Sequence, residues 1–131
     1  MATESGYIYD ESFTASADLS ALQYNPVSLG SSGVAAIAAA TTRAIGVLQN
    51  KPLSGEAATV RILGMTKAVA DGSGTAIAAG DYVGPNSAGV MVKKATADYN
   101  VAGIALDASS AATTVIRVIL TPGAWFRTAA G

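Results

Sequence analysis

The chain has 131 residues, a formal net charge of −1, and neither cysteine nor histidine. A chain of this length can close one core, burying about two-thirds of its unfolded surface. The missing residue types exclude disulfides, thiol nucleophiles, histidine-based triads and histidine metal sites. Eight Lys and Arg against nine Asp and Glu cannot form the stripe that neutralises phosphates in a nucleic-acid binder.

Half the residues are apolar, but 28 of them are Ala, against 29 Leu, Ile, Val and Phe together. Alanine buries little area, and burial yields roughly 25 cal/mol per Å². The composition therefore predicts a thin core that gains stability by self-association.

Residues 1–18 sustain no apolar period and are rich in Ser, Thr and acidic side chains; they are expected to form an extended N-terminal arm. The start lacks the basic and then apolar pattern of a signal peptide. Alternation along an extended chain sets Tyr7, Tyr9, Glu11 and Phe13 on one side and Ile8, Asp10 and Ser12 on the other. Tyr7, Ile8, Tyr9 and Phe13 are the candidates for docking on a partner surface. Glu4, Asp10, Glu11 and Asp18 are expected to meet basic residues of that partner.

Residues 19–131 read as a mainly β domain, a small barrel or sandwich built of hairpins. A strand at 27–29 is followed by the turn GSSG at 30–33. Ala content alone makes 34–39 helical, but an internal repeat favours a strand. GVLQNKPLSGEAATVRI, 46–62, returns as GIALDASSAATTVIRVI, 103–119. A shift of 56 residues lays Gly33, Val34 and Ala36 on Gly89, Val90 and Val92, and Val60, Arg61 and Ile62 on Ile116, Arg117 and Val118. Gly46 meets Gly103 one residue further on. Two similar hairpin units are thus expected, at about 27–66 and 77–122.

Between them, a strand at 66–69 ends in the turn cluster DGSG, and a run at 77–83, IAAGDYV, is stopped by Gly84, Pro85 and Asn86. In TTVIRVIL, Thr114, Ile116, Val118 and Leu120 make an inward face, with Val115, Arg117 and Ile119 pointing away. Trp125 and Phe126, the only adjacent pair of large aromatics, are expected to anchor a barrel end or a subunit interface. The most apolar stretch, 34–48, is too short for a bilayer, which takes about 20 residues.

Residues for chemistry are scarce. The carboxylates fall mostly in the arm or at turns, where capping accounts for them. Neither Asp71 nor Asp107 sits in an alternating calcium loop. DGSGTAIAAG lacks the third glycine of a dinucleotide fingerprint, and no glycine loop is followed by the Lys of a phosphate loop. No catalytic residue, metal site or cofactor is expected.

The stretch 85–126, PNSAGVMVKKATADYNVAGIALDASSAATTVIRVILTPGAWF, resembles the head decoration or capsid cement proteins of tailed bacteriophages. The family pattern falls on Val101, Gly103, Ile104, Thr113, Thr114, Gly123 and Phe126. GTAIAAGDYVG, 74–84, is similar to an upstream segment of such proteins, and the similar parts span about 40–126. The resemblance implies a structural virion protein, not an enzyme. Such a protein assembles in the host cytoplasm, sits on the outside of an icosahedral head, commonly as a trimer, and binds the major capsid protein to clamp neighbouring capsomers. Nucleic acid and membrane are not implied as partners. A tail-associated or adhesion β module is the alternative.

Overall fold

The computed structural model describes residues 8–95 and 100–121. Their nine strands are β1 (Tyr9–Thr14), β2 (Pro26–Gly30), β3 (Gly33–Ala36), β4 (Gly46–Leu48), β5 (Ala57–Ala70), β6 (Tyr82–Pro85), β7 (Met91–Lys93), β8 (Gly103–Ala105) and β9 (Thr114–Leu120). The described residues contain no helix, so the mainly β expectation holds, including a strand at β3 against the helical propensity of its alanines. β2 and β3 form the hairpin expected around GSSG, with Gly30 opposite Gly33.

The long strand β5 organises the molecule. Its even positions Ala58 and Val60 are buried in the first half, and Thr66, Ala68 and Ala70 in the second. One face of a single strand therefore serves two cores. The hinge between them is Gly64, whose φ of 102° suits a residue without Cβ. There β5 leaves β1 and β4 and joins β9.

The second half closes into a five-stranded barrel in the order β5, β7, β6, β8, β9 and back to β5. Its interior holds Ala68, Ala70, Ile77, Val83, Met91, Ala105, Ile116, Val118 and Leu120. The first half follows the same circuit, from β5 through β4 and β2 to β3. It returns to the β1 segment through the single parallel bridge between Ala15 and Val34. Ala15, Leu19, Val27, Val34, Leu48, Ala58 and Val60 fill it. Both cores are small and layered with alanine.

Backbone hydrogen bonds give the correspondence of the halves residue by residue. Tyr24 N–H donates to the Leu48 carbonyl as Gly80 N–H does to Ala105, and Ile45 N–H donates to Val27 as Ala102 N–H does to Val83. Gln49 N–H donates to Thr59 as Leu106 N–H does to Arg117. Arg117 therefore matches Thr59, and Arg61 matches Ile119, its counterpart in register with β8. The equivalence of the two arginines expected from a constant shift is wrong by two residues. Val34 likewise matches Met91, not Val90, because the offset grows along the chain.

Two further expectations are corrected. The run 77–83 is not one strand: Asp81 N–H donates to the Ala78 carbonyl, and Ala78 N–H to the Asp81 carboxylate. This turn sends Ile77 to Ser109 and starts β6 only at Tyr82. β6 continues through Gly84 and ends at Pro85, two residues later than expected. β8 pairs only with Tyr82 and Val83, so no neighbour needs a donor from Pro85 on that side.

The expected arm is also different over its described part. β1 pairs antiparallel with β5 from Tyr9 opposite Leu63 to Thr14 opposite Ala57. Ala15 and Leu19 lie in the first core. This segment holds the place in the first half that the end of β5 holds in the second, and burial of Ala15 and Leu19 fixes it there.

Candidate docking surface

Among the described residues, several charged side chains are engaged within the chain. Arg61 grips the Asp10 carboxylate with two N–H donors, at 2.8 and 3.0 Å, and donates a third to the Met65 carbonyl across the Gly64 bend. Arg117 does the same with Asp107, whose side chain also accepts the Arg117 backbone N–H. These bonds hold the Asp107 carboxyl down at about 2. Asp18, Asp71 and Glu56 accept backbone N–H groups of Ser20, Ser73 and Leu53 in their turns. Asp10 thus answers a cation of its own chain instead of one on a partner.

What stands out is apolar. Antiparallel sheets with one solvated face alternate apolar inside and polar outside, and β9 breaks this with Val115 and Ile119 on its outer side. Register carries the break across four strands, because Tyr82 is opposite Ile104, Ile104 opposite Ile119, and Ile119 opposite Met65. Tyr82 and Ile119 are 43% exposed and Met65 45%; Ile104 is half-buried. Beyond the Gly64 bend the surface continues through Leu63, its partner Tyr9, and Ile8, all exposed. A groove of about 220 Å³ opens beside it, lined by Ile8, Tyr24, Gln49, Arg61, Met65, Thr66 and Lys67. The Lys67 ammonium stands 5.8 Å from the centre of the Tyr24 ring. Contiguous exposed apolar surface serves protein contacts, membrane contacts or ligand grooves.

The docking residues expected from sequence divide here. Ile8 and Tyr9 lie on this surface, and the Tyr9 hydroxyl donates to Glu11 Oε2 at 2.6 Å. Phe13 packs against the first core of its own chain. Tyr7, Trp125 and Phe126 lie outside the described residues. Leu63, Met65, Tyr82 and Ile104 went unread from sequence. Only β9 gave a signal, with apolar residues on both faces of TTVIRVIL.

Comparison with known proteins follows the fold. The head fiber gp8.5 N base of bacteriophage phi29 is similar in structure, with a TM-score of 0.63 and 17% identity, over 88% of this chain and 95% of that one. At that identity the likeness is one of fold. Among curated proteins nothing matches. The sequence matches the phage cement protein family over residues 12–120, from β1 to the end of β9. The chain therefore belongs to the phage cement proteins and is a structural protein of the bacteriophage capsid.

Proposed function

We propose that this protein clamps the outer surface of an icosahedral phage head. It binds the major capsid protein across neighbouring capsomers and acts as a homotrimer whose work is mechanical, not catalytic. The observation that carries this reading is the cluster Ile8, Tyr9, Leu63 and Met65. All four are exposed: Tyr9 is in register with Leu63, and Ile8 and Met65 line the groove together with Lys67.

The rigid β core suits such a role. A ligand that binds only the assembled shell stabilises it by mass action, about 4 kcal/mol when free ligand is 1,000 times its dissociation constant. Linking three copies raises avidity by on the order of 10² to 10⁴ if all can engage at once.

The test adds purified protein to DNA-filled heads that lack it, then images them and measures the temperature at which they disrupt. The expected result is density across capsomer boundaries on the outside and a higher disruption temperature. Bound protein that leaves the disruption temperature unchanged would reduce the role to decoration, and no binding would overturn it.

A further inference from the structure

The two halves of the chain meet through a junction whose equivalent positions elsewhere among the described residues are more exposed. On the first half the junction uses an outer row of the sheet, with Pro26 opposite Val47, both fully buried. Val47 belongs to the core of the second half, although it is carried by β4. Beside it, Gln49 Nε2 donates to Thr66 Oγ1 at 2.8 Å, and Val69 N–H donates to the Tyr24 carbonyl at 2.9 Å. The outer wall of the first half thus closes the end of the second, at Thr66 and Ala68.

The same wall exists on the second half. Tyr82 opposite Ile104 holds the place of Pro26 opposite Val47, and Leu106 holds the place of Gln49. The same barrel end exists on the first half: Glu11 is opposite Val60 as Thr66 is opposite Val118. In the junction Pro26, Val47 and Thr66 are buried and Gln49 is half-buried. At the free ends Tyr82 and Glu11 are exposed, and Ile104 and Leu106 are half-buried.

We infer that the Tyr82–Ile104 wall of one copy covers the Glu11 end of a second copy of this chain, head to tail, repeating the internal junction. The chain itself supplies the template, since it buries the Pro26–Val47 row, the equivalent of this wall, beside Thr66, the equivalent of Glu11. The contact is heterologous, so repeating it gives a ring if the rotation closes and an open chain if it does not. The inference concerns the isolated protein and does not depend on head binding.

The absence of cysteine makes the test direct. Leu106→Cys and Glu11→Cys place thiols at the equivalents of the hydrogen-bonded pair Gln49 and Thr66. Oxidation of the two variants mixed at high concentration is expected to give disulfide-linked dimer, with little in either variant alone. Ile104→Glu, on the surface of a half-buried site, is expected to shift elution toward monomer while the melting transition remains. The proposal is overturned if the mixture gives no more dimer than the single variants. It is overturned equally if Leu106→Cys alone links as strongly, which would mean a two-fold contact of wall with wall.

Discussion

Gly46 and Gly103 occupy the same place in the two halves. A Cβ on Gly46 would overlap the Arg61 carbonyl and the Val60 side chain, and one on Gly103 the Ile119 carbonyl and the Val118 side chain. Both obstacles include backbone, which cannot rotate away. Gly46→Ala and Gly103→Ala are each expected to cost at least about 2 kcal/mol, in the range of overpacked sites, measured by denaturant unfolding. A neutral effect at either position would contradict the close strand approach.

The correspondence of those two sites explains how much of the fold was legible. Glycines at 46 and 103 announced the repeat, and the alternation in β9 announced its inner face. The register was hidden because the offset between halves is not constant: Val27 corresponds to Val83, Val47 to Ile104 and Arg61 to Ile119. A fixed shift of 56 aligned two arginines that have different neighbours. β1 was misread because its burial is concentrated at Ala15 and Leu19, beyond the strand itself, while Tyr9 to Ser12 are exposed. The apolar row was illegible because it consists of one residue from each of four strands, brought together only by register.

The role of β1 gives the second prediction. Deleting residues 2–18 removes a strand of the first half together with Ala15, so the first core is expected to lose its cooperative melting. Leu19→Ala, a point change at a fully buried site, is expected to cost about 2–5 kcal/mol. Circular dichroism melts check both. A truncated chain that melts like the full one would return residues 1–18 to the status of an arm.

Acid stability gives the third. Hydrogen bonds from the Arg117 side chain and backbone hold Asp107 at about 2, below the value near 3.9 of an unfolded chain. A depressed carboxylate contributes stability above its unfolded value and loses it as pH falls through the folded one. The loss therefore lies between about pH 4 and the folded value near 2. Asp107→Asn is expected to flatten the fall in melting temperature across that window, while Asp107 itself is too exposed for a large effect at neutral pH.

Thr113 supplies a stabilising change. It is an exposed β-branched residue at φ 55°, in the left-handed region that disfavours such side chains. Thr113→Asn is expected to raise stability by about 0.5–1 kcal/mol, since Asn tolerates this conformation. Urea unfolding decides it, and a loss of stability would show that the Thr side chain compensates its own strain.

In the proposed role, the apolar surface at the junction of the two halves docks on the phage shell. The most direct measurement is cosedimentation with heads lacking the protein, comparing the wild type with a Leu63→Ser, Met65→Ser double variant. Both side chains are exposed, so melting is expected to change little, as for most surface substitutions. Head affinity is expected to fall at least about tenfold, the equivalent of 1.4 kcal/mol. A folded double variant that binds heads as tightly as the wild type would contradict the account.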